Sequence, residues 1–350
     1  MRGEEKNRTR SCSSRRPGHA VPVEVADSAG KKAHSYIGYV VMKRRAFIRN
    51  MAWGGTVLAA APALSCMANP PSLPKISLAQ WSLNRAFFGG DLDPDNFAAI
   101  AMDTYGIDAV EYVSGFYVDS VLDESSWNRL KALAGNAGVQ NLLIMVDDEG
   151  DLGGADDTVR RQAVENHHKW VNAAKILGCH SVRVNAFGDP DRETFRTALV
   201  DGMGRLAEYA AGEDINVIIE NHGLFSSDAG LITSIIREVN SPNLGTLPDF
   251  GNWCLSAKWG STQFECEEVY DRYQGVREFL PYARGVSAKA YDFNERGEDR
   301  IIDYYEMLRI VKDSGYEGYI GIEYEGVEKS EHEGILATRA LIEKAWASLG

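Results

Sequence analysis

The sequence predicts an α/β fold, a single (β/α)8 barrel, on three observations. After residue 74, short apolar runs rich in β-forming residues alternate with amphipathic helical patterns. There are eight such units, and a closed barrel of eight units usually takes about 250 residues, which fits within residues 75–350. A doubly wound open sheet is the alternative. That fold usually has a Gly-rich phosphate loop after an early strand, and this sequence shows none.

The strands are predicted where four to eight residues of high β propensity are bounded by Gly, Asp, Asn or Pro. These segments are 76–83, 107–113, 139–146, 180–186, 215–221, 244–250, 285–291 and 318–325.

Helical periodicity fills the intervals between the strands. The first helix, 93–105, has Pro94 at the favoured first-turn position. Gly138, Gly178 and Gly315 stand where helices are expected to end. The other helices are predicted at 125–137, 156–177, 191–212, 228–240, 267–281, 303–314 and 331–348.

The amino-terminal segment differs in charge from the rest of the chain. Residues 1–50 carry 12 Lys and Arg against 4 Asp and Glu, a net charge of +8. Because the whole chain has a net charge of −13, residues 51–350 carry −21. A surface this acidic repels phosphate backbones, so we expect no nucleic-acid partner.

Residues 42–68 read as a twin-arginine export signal. Arg44 and Arg45 precede an apolar stretch, Met51–Leu64, that is too short and too rich in Ala and Gly to be a stable membrane anchor. A buried amino-terminal helix is the alternative. Residues 1–41 are polar and aperiodic, which indicates a disordered leader or an over-long start, and 69–74 form a Pro-rich linker. We therefore expect an exported, periplasmic protein.

The cysteines give two further expectations about the exported form. Ala63-Leu64-Ser65-Cys66 resembles a lipoprotein box, so a lipid anchor at Cys66 is an open alternative to simple cleavage. No CxxC pair is present, and the twin-arginine route carries folded proteins, so few disulfides are expected. Cys179 is interpreted as a small core residue.

Three carboxylates stand at the ends of three predicted strands: Glu220, Asp249 and Glu323. An unpaired buried charge is costly, so three of them at the edge of a core indicate one shared site. The carboxyl ends of barrel strands carry the functional residues, and oxygen ligands suit a divalent metal.

Four motifs on strands five to eight make the chain resemble the xylose-isomerase-like TIM-barrel family. The resemblance covers residues 75–348 and rests on Ile219-Glu220-Asn221-His222-Gly223, Asp249-Phe250-Gly251-Asn252, Ser287-Ala288-Lys289-Ala290 and Ile322-Glu323-Tyr324-Glu325-Gly326.

The resemblance implies a divalent metal held by a Glu, an Asp, a His and a Glu. Glu220, Asp249 and Glu323 match three of these ligands, but Ser287 stands where the family has histidine. The loss of the imidazole favours Mn²⁺ or Mg²⁺ over Zn²⁺, since zinc prefers nitrogen and sulfur ligands. Glu220 and Glu323 would be both ligands and proton-transfer groups.

Two further residues each have two interpretations. His222 follows Glu220 by two positions and so faces the same side of an extended strand, where it is either a replacement ligand or a hydrogen-bond partner of the loop above. Lys289 is either a catalytic group that polarises a carbonyl or moves a proton, or the partner of a structural ion pair.

Aromatic and polar side chains near the same rim suit a sugar ring, whose faces are apolar and whose edges carry hydroxyls. The predicted substrate-binding residues are Trp81, Glu111, Arg183, Asn185, Asn252 and Tyr291.

The predicted function is metal-dependent enolisation of a small carbohydrate, of the isomerase or epimerase type. One alternative is a lyase or hydratase that acts on a 3-keto-sugar or keto-glycoside by β-elimination. A second is a non-catalytic sugar-binding barrel.

Abasic-site endonuclease activity, also found in the family, is not expected from so acidic a chain. The oligomeric state is open, with a homo-oligomer among the alternatives.

Overall fold

Eight parallel strands form the centre of the molecule. The structure is a computed structural model that describes residues 73–350. Neighbouring strands pair in the order β6-β5-β4-β3-β2-β1-β8-β7, and all eight predicted strands are confirmed. Their bounds are β1 Lys75–Ala79, β2 Ala109–Val113, β3 Gln140–Met145, β4 Ser181–Asn185, β5 Asn216–Glu220, β6 Leu244–Leu247, β7 Val286–Ala290 and β8 Tyr319–Tyr324.

Strands β6 and β7 meet through single contacts rather than a continuous ladder. The β6 ladder ends at Leu247, three residues before the predicted end, because the next residue, Pro248, has no N–H to continue it. The Ser287 amide still donates to the Pro248 carbonyl at 3.0 Å, and the Phe250 amide donates to the Ser287 carbonyl at 3.1 Å. An isolated parallel bridge also joins Asp249 to Ser287, so the barrel closes at the level of the predicted site.

Helices surround the sheet. Their bounds are α1 Asn84–Gly89, α2 Phe97–Tyr105, α3 Glu124–Ala137, α4 Asp157–Leu177, α5 Arg192–Gly212, α6 Ala229–Val239, α7 Arg272–Phe279, α8 Tyr304–Asp313 and α9 Glu331–Ala347.

Two helices differ from the prediction. Helix α1 was not expected, since the strand prediction 76–83 extended over the 3-10 turn that precedes it. Helix α7 begins at Arg272 rather than at 267, because the Asp271 carboxylate accepts from the Gln274 amide at 2.8 Å and caps the helix there. The residues before Asp271 therefore belong to a long loop over the carboxyl end of the barrel.

Helix ends follow the local rules expected from the sequence. Aspartates cap six helices, among them Asp156 of α4, whose carboxylate accepts from two backbone amides. Gly138 and Gly178 close α3 and α4 in the left-handed conformation. The buried core lies between helices and sheet and includes Trp127 and Trp170. Cys179 is buried there, as expected.

The leader at 1–41, the signal at 42–68 with Cys66, and all of the linker except Leu73 and Pro74 lie outside the described residues. Among residues 73–350, no helix is long and apolar enough to cross a bilayer.

Candidate active site

The three predicted carboxylates converge at the carboxyl end of the barrel. Glu220 is the last residue of β5, Glu323 lies near the end of β8, and Asp249 follows β6 by two residues. Each offers an oxygen such that the three atoms lie within 4.8 Å of one another, and all three side chains are buried. Parallel strands bring their carboxyl ends to one face of a barrel, which explains why residues far apart in sequence meet here.

The turn after β6 orients Asp249. The backbone amides of Gly251 and Asn252 both donate to Asp249 Oδ1 at 2.7 Å. The side-chain oxygen of Asn221 accepts from the Asp249 amide at 2.8 Å. These bonds occupy Oδ1 and leave Oδ2 facing the other carboxylates.

Ser287 connects two of the carboxylates at the position where the family has histidine. Its hydroxyl oxygen lies 2.7 Å from Asp249 Oδ2 and 2.8 Å from Glu323 Oε2. A hydroxyl has one proton to donate, so hydrogen bonding at both contacts requires a proton on a carboxyl group. Burial, together with the nearby charge of Glu323, raises the pKa of Asp249 to about 7, which makes Asp249 the carboxyl that can carry this proton.

Lys289 lies among the carboxylates with almost no exposure. Its Nζ is 3.1 Å from Glu323 Oε1, 3.1 Å from Glu325 Oε1 and 3.9 Å from Asp249 Oδ2. Burial alone would lower the pKa of Lys289, but these carboxylates raise it well above its usual range. Lys289 is therefore a fixed positive charge in this structure. The ion pair that the sequence left as one interpretation is present, and a catalytic role stays a prediction.

Arg183 joins Glu220 to a further carboxylate, Asp147. Its Nε is 2.8 Å from Glu220 Oε2 as an ion pair, and its Nη1 donates to Asp147 Oδ1 at 2.7 Å. Burial would raise the pKa of Asp147, but Arg183 overrides this effect and holds it at about 2. Burial also raises the pKa of Glu220 well above its usual range, although Arg183 opposes that rise.

His222 is a neutral side chain beside this cluster. Its Nδ1 lies 2.7 Å from Asn185 Oδ1 and 4.0 Å from Glu220 Oε2. The amide nitrogen of Asn185 donates to Asp147 Oδ1, so the amide oxygen must accept and His222 Nδ1 carries the proton. Burial lowers the pKa of His222 well below its usual range, with Arg183 adding to the effect. The imidazole of His222 thus bonds to Asn185 at the end of β4 and not to the loop above, which the hydrogen-bonding interpretation had named. The ligand role of His222 stays a prediction that would use Nε2.

A cavity of about 370 Å³ opens above these groups, and we call it the inner cavity. Its lining combines charged groups, most of which belong to the cluster just described, with aromatic residues and a few smaller ones. It is lined by Trp81, Phe88, Val113, Gly115, Asp147, Asp148, Arg183, His222, Trp259, Ser261, Glu323 and Glu325. This volume lies in the range of small-molecule sites, which are mostly apolar with a few convergent polar groups.

The six predicted substrate-binding residues lie in three different places relative to the inner cavity. Trp81 and Arg183 line the inner cavity. Asn185 holds His222 and Asp147 beside it. The remaining three, Glu111, Asn252 and Tyr291, are buried and do not line the cavity.

These three buried residues bond to the protein. The Ser77 hydroxyl donates to Glu111 Oε1 at 2.6 Å, inside the barrel. The amide nitrogen of Asn252 faces Glu220 Oε1 at 3.4 Å. The Tyr291 hydroxyl accepts from the Ser261 hydroxyl at 3.2 Å. The structure therefore gives each a partner within the protein, and direct contact with substrate stays a prediction.

Sequence reasoning missed two residues that line the cavity prominently. Glu325 follows Glu323 by two positions, and this spacing could have placed both on one face of the strand. The Trp81 indole N–H donates to Glu325 Oε1 at 2.6 Å. Trp259 had no such signal, because it lies in the long loop before α7, part of which was predicted to be helical.

A disulfide and close backbone packing hold that loop. Cys254 and Cys266 are joined, twelve residues apart. The Cys254 amide donates to the Gly260 carbonyl at 3.0 Å. A Cβ on Gly223 would lie 2.1 Å from the Ala257 carbonyl oxygen, so only glycine allows this approach. One disulfide within the described residues agrees with the expectation of few.

The residues present fit a divalent cation. Five carboxylates surround two cations, Arg183 and Lys289, and the positive charge falls short of the negative charge. Glu220 Oε2 is buried and faces Arg183 Nε at 2.8 Å, an ion pair without hydrogen-bond geometry. Three buried carboxylates whose oxygens lie within 4.8 Å of one another are the kind of donor set that hard cations prefer. The acidic triad could therefore hold a metal ion.

Known proteins resemble the chain in both sequence and fold. The family model for the xylose isomerase-like TIM barrel matches residues 99–345. L-ribulose-5-phosphate 3-epimerase UlaE of Escherichia coli K12 is 25% identical over 237 residues, which cover 61% of this chain and 76% of the relative.

Two solved structures share the fold. The 3-keto-D-glucoside 4-epimerase YcjR of E. coli gives a TM-score of 0.58 at 14% identity, covering 77% of this chain and 99% of that one. A xylose isomerase-like TIM barrel protein of Mycobacterium smegmatis, in complex with magnesium, gives a TM-score of 0.55 at 14% identity, covering 81% and 99%.

Proposed function

Because the chain belongs to the xylose isomerase-like TIM-barrel family, we propose that it moves a proton at the carbon next to a sugar carbonyl. The product would be an isomer or epimer of the sugar. One observation carries the proposal, namely that Glu220, Asp249 and Glu323 place ligand oxygens within 4.8 Å of one another beside the inner cavity. Homologues of the chain include a sugar-phosphate epimerase, which supports an enzyme of this kind.

The carboxylate triad is the place for a metal. Glu220, Asp249 and Glu323 would hold a divalent cation, Mn²⁺ or Mg²⁺ rather than Zn²⁺, and such an ion acidifies a C–H bond by polarising the neighbouring carbonyl. Ser287 offers a hydroxyl oxygen at this centre where an imidazole would favour zinc.

Two glutamates on different strands would move the proton. Glu220 on β5 or Glu323 on β8 would take the proton from carbon, and the other carboxyl would return one. Return to the neighbouring carbon gives an isomer, and return to the other face of the same carbon gives an epimer. Burial, together with the charges of Glu323 and Asp249, raises the pKa of Glu220 well above its usual range, which favours its protonated form as a proton donor.

The fixed cations stabilise charge rather than transfer protons. Lys289, held by Glu323 and Glu325, supplies a positive charge near the oxygen that becomes negative when the C–H bond breaks. Arg183 forms an ion pair with Glu220 and so orients its carboxylate. His222 is neutral, so its Nε2 can accept a hydrogen bond from a sugar hydroxyl.

The lining favours an uncharged sugar. Arg183 and Lys289 are already paired with carboxylates, and Asp147, Glu323 and Glu325 add negative charge that repels a phosphate group. Aromatic side chains at the mouth suit the apolar face of a sugar ring.

Solvent exchange tests this function. The purified protein, supplied with Mn²⁺, should incorporate deuterium from D₂O into at least one of a panel of keto sugars, at the carbon next to the carbonyl. Glu220→Gln and Glu323→Gln should each lower the rate by at least about a hundredfold, since general acid–base groups contribute at least this much.

Proton NMR and mass spectrometry follow the exchange reaction. Release of a leaving group in step with exchange would assign the β-elimination alternative. Sugar binding with no exchange in any member of the panel would instead leave the non-catalytic barrel as the function.

Export is a second part of the proposal. The signal at 42–68 lies outside the described residues, and the support comes from the Cys254–Cys266 disulfide. Disulfides persist in oxidising compartments such as the periplasm and are rare in the cytosol.

A further inference from the structure

A second chamber of about 240 Å³ adjoins the inner cavity. We call it the outer chamber. Asp148 and Trp259 line both spaces, so the two spaces are adjacent at these two side chains. The lining of the outer chamber includes Phe187, Lys258 and Trp259, which contact one another, and the polar residues Asp148, Asp151 and Asn185. Nothing in the proposed proton transfer uses this space.

Part of the lining of the outer chamber is an aromatic surface that carries a cation. Lys258 Nζ lies 4.6 Å from the centre of the Phe187 ring and 5.0 Å from that of Trp259. The two rings meet edge to face at 5.6 Å. Trp259 is 41% exposed, so a large apolar ring stays open to a ligand.

The backbone presents Trp259 at a conformational cost. Its φ of 71° lies in the left-handed region, which is unfavourable for a bulky residue. Such a conformation persists only where its surroundings impose it. Here an isolated bridge between Gly223 and Lys258 and the Cys254–Cys266 disulfide impose it from both ends of the loop.

We propose that the outer chamber binds the second ring of a glycoside whose reacting ring lies in the inner cavity. The substrate class is thus an uncharged two-ring sugar, and this inference rests on the proposed function. An aromatic face beside acids and amides is suited to a ring with apolar faces and hydroxyl edges. Asp148 and Asp151 beside Lys258 disfavour a phosphate group in the same chamber.

The test compares one-ring and two-ring sugars by isothermal titration calorimetry on the Mn²⁺-supplied protein. The pairs are methyl β-D-glucopyranoside with cellobiose and methyl α-D-glucopyranoside with maltose. At least one disaccharide should bind about tenfold more tightly than its one-ring partner, which corresponds to about 1.4 kcal/mol. Equal dissociation constants within both pairs would overturn the proposal, as would tighter binding of glucose 6-phosphate than of either disaccharide.

A substitution at Trp259 assigns the preference to the chamber. Trp259→Asn keeps a residue that tolerates positive φ. Because Trp259 lines both spaces, one-ring binding should weaken as well, but two-ring binding should weaken more, so that the disaccharide preference is lost. Phe264→Asn is the matched control, since Phe264 is an exposed aromatic residue of the same loop that lines neither space. It should keep the preference.

Lys258→Ala provides a second variant at an exposed side chain if Trp259→Asn disturbs the loop. It should reduce the preference at least about threefold, in keeping with a modest cation contribution at an exposed site. Preference that survives in both variants, or one-ring binding that weakens as much as two-ring binding, contradicts the proposal.

The outcome separates this inference from the proposed function. Deuterium exchange into a one-ring keto sugar without any disaccharide preference would refute the outer chamber as a subsite and leave the enolisation intact. A disaccharide preference without deuterium exchange would support the outer chamber as a subsite and refute the enolisation.

Discussion

The substitution Glu111→Gln tests the electrostatics of the barrel interior. Glu111 lies on β2, and the hydroxyl of Ser77 on β1 donates to its Oε1 at 2.6 Å. Its Oε2 is buried and has no hydrogen-bond partner within residues 73–350. Burial is the main cause that raises the pKa of Glu111 to about 7, and the nearby charge of Glu323 adds to it.

The raised pKa fixes the direction of the pH effect. Below pH 4.5 the carboxyl is protonated in both the folded and the unfolded chain, so it adds no pH dependence. Between pH 4.5 and about 7 only the folded chain keeps the proton, and stability falls as pH rises. Above about pH 7 the stabilisation from this proton is completely lost. The difference between the pKa of 4.5 in the unfolded chain and about 7 in the folded chain corresponds to a free energy of roughly 3 kcal/mol.

Glutamine removes this contribution because it does not titrate. The free energy of unfolding of Glu111→Gln relative to the native protein should therefore rise by roughly 3 kcal/mol between pH 4.5 and pH 8. Urea titrations of metal-free protein at each pH measure it. Glu208→Gln, at an exposed glutamate of α5, is the matched control. A difference between Glu111→Gln and the native protein that is the same at both pH values would refute the reasoning.

The remaining predictions concern charge pairing, the loop and export. Lys289→Met should destabilise the fold by roughly 3 kcal/mol in urea titrations, because it leaves buried carboxylates without a cation, and adding Glu325→Gln should recover part of the loss. Cys254→Ser should cost about 3 kcal/mol, the value for a loop of this length, and dithiothreitol should do the same to the native protein. Replacing Arg44 and Arg45 together by Lys should retain the protein in the cytoplasm on cell fractionation.

Each of these has a clear contrary outcome. Equal stabilities for Lys289→Met alone and combined with Glu325→Gln would show that the two charges do not interact. If dithiothreitol leaves the stability of the native protein unchanged, and Cys254→Ser is as stable as the native protein, the disulfide is absent. If the double Lys variant is recovered from the periplasm in unchanged amount, residues 42–68 are not a twin-arginine signal.

The strands and the carboxylate triad could be predicted from sequence because their signals are local. A run of β-branched residues that ends in a carboxylate and a turn marks both the strand and the position of its last side chain. Glu220 and Glu323 were placed by this rule. Asp249 was placed at the right position although its strand ends at Leu247, because the turn after Pro248 carries it back into the site.

Other features depend on contacts between distant segments, which no local pattern encodes. Glu111 was expected to end the second strand, but it lies in the middle of β2, and its carboxyl turns to Ser77 on β1 and not to the cavity. Trp259 reaches the mouth because Gly223 lets the loop approach and a disulfide closes it. The role of Ser287 was also hidden, since a missing histidine gave no indication that a hydroxyl would join two carboxyl groups.

The most direct test of the account asks whether one metal ion and one sugar share the inner cavity. Bound Mn²⁺ is paramagnetic, so it should speed the relaxation of the protons of a keto sugar bound beside it, measured by NMR. The account predicts strong enhancement in the native protein and its loss in Asp249→Asn, whose carboxylate belongs to the triad. Enhancement that persists in Asp249→Asn, or sugar that binds with no enhancement while Mn²⁺ is bound, would contradict it.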